Sequence, residues 1–323
     1  MVRFILRRLM WLIPTIILVT FIVYFAIRIG WDPLNAYLRA NPRASAEKKA
    51  EFIADNGLYP GFSGIIRGYR EWLWGFMQGP GNWPRSLKGN IEVWPLLKYS
   101  LANTLRLYGL AAVIGISVGI SLGILASRNP GSWLDTAINT TAFYLGAIPP
   151  FVSAVVLQLI FAVQLGWLPP VGVYPPGQQG FDLILMLKHL ILPVTVVAVQ
   201  SVAQYSRYTR ASVLDVSNAD FLRTARAKGI PERDVLFKHS VRNALIPVVT
   251  LIAIDIGAVL GGLIITENIF NYPGMGVYFI TAVNDGDTPK LLPFMVLVVL
   301  AVLIFNLIAD LAYAILDPRI RLD

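Results

Sequence analysis

The sequence predicts an all-α polytopic membrane protein with six transmembrane helices and both termini on the cytoplasmic side. Three observations carry that expectation. Charged residues make up 14% of the chain and hydrophobic residues 56%, with a mean hydropathy of +0.62, against about 25% charge in a soluble domain. Six apolar segments are long enough to cross a bilayer, for which ~20 helical residues suffice. Lys and Arg fall unevenly on the two sides those spans would create.

The spans are expected at roughly 9–29, 101–126, 136–164, 189–206, 244–266 and 291–316. The first follows the basic leader MVRFILRR and no small-residue cleavage site comes after it, so it reads as a retained span rather than an export signal. The fourth contains Pro193, Gln200, Ser201 and Gln204, a polarity that suits a helix facing protein or water rather than lipid. Arg3, Arg7 and Arg8 precede the first span, Arg319 and Arg321 follow the last, and Arg128 lies in a short loop on that same side. Segments 165–187 and 267–289 contain no Lys or Arg. The asymmetry places the termini in the cytoplasm. The net charge of +8 is thus a matter of membrane sidedness, and no nucleic-acid partner is expected.

Residues 30–100 form an expected extracytoplasmic insertion between spans one and two. It holds five of the eight tryptophans, Trp31, Trp72, Trp74, Trp83 and Trp94, and reads as an aromatic belt with a small folded cap or as a docking surface for an external partner. In 267–290, the turn at Pro273, Gly274 and Gly276 leads to a short apolar run suited to a re-entrant or interfacial helix. Zero cysteines and two histidines, His189 and His239, exclude disulfides and Cys-ligated metals and make a metal site unexpected. Of the two, His189 is expected at the outer interface, and His239 to pack or cap within the elbow. Arg28 and Arg106 suit anchors that snorkel from span ends.

The densest feature is a basic elbow at 207–243, with eight Lys or Arg in 207–242. Ser217 or Asn218 can cap a short helix with Asp220 in its first turn. Gly229 suits the left-handed position past its end, after Lys228. Pro231 suits the first position of a second helix, and Pro247 an interruption where the chain enters the bilayer. Phe221 and Ala225, one turn apart, would form an apolar stripe flanked by Arg223 and Arg226, the composition of a docking surface.

These residues resemble a known family. Arg223-Thr224-Ala225-Arg226-Ala227-Lys228-Gly229, with His239, Arg242-Asn243-Ala244 and Pro247 downstream, is similar to the "EAA" loop of ABC importer permeases, in the form found in oligopeptide and dipeptide importers. The general pattern Glu-Ala-Ala-x3-Gly here reads Arg223-Thr224-Ala225-x3-Gly229. Its downstream Ile-x-Leu-Pro reads His239-x-Val241-Arg242. Both departures are usual for the peptide class. Arg85-Ser86-Leu87, Leu165-Gly-Trp-Leu-Pro-Pro170, Glu267-x2-Phe270-x2-Pro273-Gly-x-Gly276 and the tail Tyr313-Ala-Ile-Leu-Asp-Pro-Arg-Ile-Arg321 extend the resemblance over nearly the whole chain.

The resemblance implies a type I ABC importer permease fold in a prokaryotic cell membrane. It implies that Asp220, Phe221, Arg223, Thr224, Ala225, Arg226, Ala227, Lys228 and Gly229 contact a cytoplasmic ATPase. The implied partners are a second homologous permease, two ATP-binding subunits carrying ATP and Mg, and an extracytoplasmic substrate-binding protein. No G-x4-G-K-[S/T] loop is present, so ATP hydrolysis would belong to another chain. Peptides are the implied solute, with oligosaccharides or a nickel chelate as alternatives. An ATP-independent secondary transporter would call for inverted repeats, and none is evident. An intramembrane enzyme would need a nucleophile with its base, and no such motif is present.

Asp255, within LIAIDIGAVLGG, is a carboxylate at bilayer depth, where it costs ~2.5–3.5 kcal/mol. It reads equally as a group lining the translocation path, where it would meet substrate such as a peptide amine, and as a structural partner for a polar or basic group on a neighbouring span or a second permease. For Asp310, about two turns before the cytoplasmic end of the last span, the resemblance implies a structural family feature.

Overall fold

The computed structural model describes residues 2–30, 33–175 and 180–316. Their regular structure is helical throughout. In chain order it comprises α1 (Val2–Gly30), α2 (Pro33–Ala40), α3 (Ala46–Asp55), α4 (Gly61–Met77), α5 (Val93–Arg128), α6 (Trp133–Ala147) and α7 (Pro150–Leu157). There follow α8 (Leu183–Ser217), α9 (Asp220–Ala227), α10 (Glu232–Asp234), α11 (Arg242–Gly262), α12 (Ile264–Ile269), α13 (Met275–Asp285) and α14 (Thr288–Leu316). Five helices are long and apolar enough to cross a membrane, and the bent pair α6–α7 makes up to six. The tail motif beyond Leu316 and the C-terminal arginines lie outside the described residues, as does the side chain of Asp310.

The chain divides into two compact units, one of Met1–Asn103 with Pro273–Leu303 and one of Thr104–Tyr272 with Ile304–Asp323. In the first, the insertion is not a free-standing cap. It runs along α1. The Tyr69 hydroxyl donates to the Ile17 carbonyl at 2.9 Å and shares a hydrogen bond with Thr20 at 2.8 Å. Tyr24 donates to Gly57 at 3.3 Å, and Arg28 to the Tyr59 carbonyl at 3.0 Å. Arg28 thereby ties the insertion to the end of α1. Gly68 permits the contact: a Cβ there would sit 2.1 Å from the Gly57 carbonyl oxygen. A second fastening explains Arg85-Ser86-Leu87. Asp287 is fully buried. It accepts from the Ser86 hydroxyl and the Leu87 amide, and pairs with Lys290 at 3.2 Å. Lys88 adds an exposed pair with Asp285 at 2.8 Å. A buried carboxylate persists when its lone pairs are taken up this way.

In the second unit α8 is central. It spans 35 residues, about 52 Å at 1.5 Å per residue, and so extends beyond the expected 189–206 at both ends. Its apolar window is half buried, more than any other candidate span, in keeping with its polar sequence. His189 is buried on α8, with Nδ1 at 2.9 Å from the Leu185 carbonyl. On one side α8 meets α5 through a glycine ladder: Gly115, Gly119 and Gly123 lie against Ser201, Tyr205 and Thr209. On another, Arg210 forks onto Asp135 of α6, at 2.6 and 2.7 Å. Glu267, also fully buried, accepts from Thr104, and its carbonyl receives the Tyr272 amide at 2.8 Å. Phe270 and Tyr272 enter the main apolar cluster with Leu190 and Val196. Glu267, Phe270 and Tyr272 of the motif therefore serve the packing of this unit.

The expected third span, 136–164, is not one straight helix. α6 and α7 meet at 92° across Ile148–Pro149. Pro149 and Pro150 lack the N–H groups that would continue the ladder. The freed carbonyls find another donor: Gln200 of α8 reaches Leu145 at 3.2 Å and Ile148 at 2.9 Å. Gln200→Leu is expected to remove both hydrogen bonds and to lower stability by about 1 kcal/mol. Thermal unfolding followed by tryptophan fluorescence checks this, and an unaltered midpoint would refute the role.

Candidate functional site: the elbow and the Asp255 cluster

α8 continues to Ser217, so residues 207–217 of the elbow are still helical. The expected caps are displaced. The Ser217 hydroxyl bonds back to the Leu214 carbonyl at 2.6 Å, and Asn218 ends α8 instead of starting α9. A serine still inside a helix spends its hydroxyl on the preceding turn. Ala219 occupies the N-cap of α9 with no side-chain bond. Asp220 stands in the first turn as expected, and Thr224 donates to its carbonyl at 3.0 Å.

The end of α9 matches the expectation closely. Gly229 has φ +75°. Its amide bonds to the Arg226 carbonyl at 2.9 Å, and the Ile230 amide to the Ala225 carbonyl at 3.3 Å. These two bonds constitute a Schellman turn, including its apolar contact from Ile230. Pro231 sits just outside α10, where its carbonyl accepts from Asp234 at 2.8 Å and Val235 at 3.0 Å. The chain then widens into a π-helical stretch, Val235–Val241, before α11. His239 lies in this stretch, and its carbonyl accepts from Asn243 at 2.7 Å. Pro247 lies within α11.

The expected Phe221–Ala225 stripe needs correction. Leu222 and Ala225 form the buried face, closing with Val235, Val216 and Ile230 into one small cluster. Phe221 points away and is 44% exposed. On an 8-residue helix the i, i+3 pair Leu222–Ala225 faces the chain's own second helix, while Phe221 is rotated off that face. Leu222 was thus the missed residue, although its spacing to Ala225 was visible in the sequence. Around Phe221, the residues Asp220, Arg223, Thr224, Ala227 and Lys228 are exposed. Arg226 does not belong to a free flank. It spans the turn to Glu232, with its closest contact at 2.9 Å. Lys238 pairs with Asp234 at 2.9 Å. A helix this short is marginal alone. Here the Leu222 cluster, the Schellman turn and the Arg226 brace hold it.

Asp255 lies on α11, facing α8. Its Oδ2 accepts from Gln204 Nε2 and from the Tyr205 hydroxyl, both at 3.1 Å. Tyr108 of α5 lies within hydrogen-bonding reach of Tyr205. The polarity of the fourth span thus has two destinations: Gln200 serves the α6–α7 break, and Gln204 serves Asp255.

Comparison with known proteins places these features. Residues 119–322 match the family described as "Binding-protein-dependent transport system inner membrane component". The oligopeptide transport system permease protein AppB of Bacillus subtilis is 36% identical over 99% of this chain and 100% of its own length. The dipeptide transport system permease protein DppB of Escherichia coli is 33% identical over 99% of each. Among solved structures, an inward-facing form of the MetNI methionine ABC transporter superimposes with a TM-score of 0.55 at 16% identity. That match covers 69% of this chain and 96% of that one. A likeness at this identity concerns the fold, which is that of type I ABC importer permeases. Whole-length similarity to two transport permeases, together with the matched family region over the elbow and the last spans, assigns this multi-pass membrane protein: it belongs to the binding-protein-dependent transport system inner membrane component family, the permease subunits of ABC importers.

Proposed function

We propose that this chain forms half of the translocation path of an ATP-driven peptide importer in a prokaryotic plasma membrane, with both termini and the elbow cytoplasmic. The peptide assignment is supported by the oligopeptide and dipeptide transport roles named for AppB and DppB. α9 is the coupling helix. Its exposed face, Asp220, Phe221, Arg223, Thr224, Ala227 and Lys228, seats on an ATPase. Ala225, Arg226 and Gly229 hold that face in position. The full assembly contains a second homologous permease, two ATP-binding subunits carrying ATP and Mg, and an extracytoplasmic substrate-binding protein. Asp255 lines the path.

One observation carries the coupling reading. α9 is anchored on one face to its own chain, while the opposite face presents an exposed aromatic ringed by charge. A force applied to such a face is transmitted to α8 and α11 rather than absorbed by a loose loop. Switching then depends on contacts that differ between the two states. The test is Phe221→Ala in the reconstituted complex. Loss of a central interface aromatic costs about 2 kcal/mol or more, so ATP-driven uptake is expected to fall at least tenfold while the permease still assembles in the membrane. Undiminished coupling of ATP hydrolysis to uptake would refute the role of α9.

A further inference from the structure

The Asp255 carboxylate is only half used. Gln204 and Tyr205 both donate to Oδ2, and neither bonds to Oδ1. Its hydrogen-bond partners are those two residues, both uncharged, and no cationic side chain among the described residues pairs with it. The site is nevertheless built. Three helices converge on it: Tyr108 comes from α5, Gln204 and Tyr205 from α8, and Asp255 from α11. Asp255 stands 13 residues into α11, about 20 Å from its start, within an apolar stretch. Tyr205 is almost fully buried, whereas Asp255 and Gln204 are each partly exposed on the unit's surface. Lipid does not tolerate a charged group on that open side, so protein or water must face it. A carboxylate oriented through one oxygen, with the other left open, is arranged to receive a cation.

We infer that Asp255, oriented by Gln204 and Tyr205, is a charge-selective contact in the translocation path that favours peptides bearing a cationic side chain over acidic ones. The inference rests on the peptide-importer reading. Gln204 and Tyr205 are positioning residues: they fix which oxygen is engaged and which remains open. The competing occupant is a basic group of the second permease, for which Asp255 would serve assembly and not selection.

The experiment is competitive uptake by the complete importer, with its binding protein, in proteoliposomes offered Ala-Lys-Ala and Ala-Glu-Ala together. The receptor's own preference cancels when each variant is compared with wild type. Asp255→Asn keeps an acceptor for Gln204 and Tyr205 but removes the charge. It is expected to lower the Ala-Lys-Ala to Ala-Glu-Ala uptake ratio about tenfold, the scale of one charge-assisted hydrogen bond. Asp255→Glu is expected to retain the wild-type ratio. An Asp255→Asn importer with an unaltered ratio, whether its total uptake falls or not, would overturn the selective contact and leave the importer reading standing. A wild-type importer that takes up neither peptide would overturn the peptide reading, and the contact with it.

Discussion

A Gly123→Leu permease is expected to lose the packing of α5 on α8 and to unfold at a markedly lower temperature than wild type. The reason is geometric. A Cβ at position 123 would lie 2.5 Å from the Thr209 Cβ and 2.6 Å from the Ser206 carbonyl oxygen. The second atom is helix backbone and cannot move alone, so the two helices must separate. Gly119 and Gly115 face the same constraint, at 2.8 Å from the Tyr205 Cβ and 2.5 Å from the Ser201 Cβ. Without a hydrophobic force between helices in lipid, such close approach is the main source of association. Overpacking of this kind costs about 3 kcal/mol, the upper end of its usual range. The effect should be graded, with Gly123→Ala milder than Gly123→Leu. Gly109→Ala on the same helix supplies the contrast. Nothing lies within 4 Å of a Cβ there, so helix propensity should stabilise it by up to ~1 kcal/mol. Tryptophan-monitored thermal unfolding of the three variants in detergent checks the order. Equal midpoints for Gly123→Leu and Gly109→Ala would refute the glycine ladder.

Asp135→Ala is the second large expected loss. Asp135 is 4% exposed and Arg210 28%. Besides the forked contact, the carboxylate accepts from the Gly131 amide at 2.9 Å and from Asn139 at 2.5 Å. Removing it strands a partly buried guanidinium and the Gly131 amide, while Asn139 keeps the Asp135 backbone carbonyl at 2.8 Å. Breaking a buried pair costs ~3–5 kcal/mol, and the exposure of Arg210 reduces that to about 2–3 kcal/mol. A double-mutant cycle with Arg210→Ala separates the pair from its neighbours. Each single change should be severe, and the double change should cost much less than their sum. Strict additivity would mean that the two side chains do not stabilise one another.

How much of this was legible in the sequence depends on what each residue needs. The spans, the turn at Gly229 and the short helix before it follow from local rules: apolar length, a left-handed position and a first-turn carboxylate. The turn and the short helix held to within a few residues, whereas α5 and α8 run 6 to 11 residues past the expected spans at three of their four ends. The caps did not hold, because Ser217 had a partner in its own helix at Leu214, a competition that periodicity does not reveal. The third span was read as continuous across Pro149–Pro150. The two prolines gave the local warning, but the donor that makes a 92° break tolerable is Gln200, 50 residues later. In the elbow, Leu222 and Ala225 had the spacing of a buried pair. Which of two adjacent apolar residues turned inward, Phe221 or Leu222, was settled by Val235 on the following helix.

By itself, the sequence determined a polytopic helical protein with a short, capped elbow helix, because hydropathy, charge sidedness and turn chemistry act over a few neighbouring residues. Only the tertiary structure decided which polar side chains are spent and which stay open. Gln200 is consumed by a broken helix, Asp135 by Arg210 and Asp287 by Ser86 and Leu87, while Asp255 keeps one oxygen without a partner among the described residues. Buried polar groups must find partners wherever the fold brings them, and those partners lie tens to hundreds of residues away in the chain.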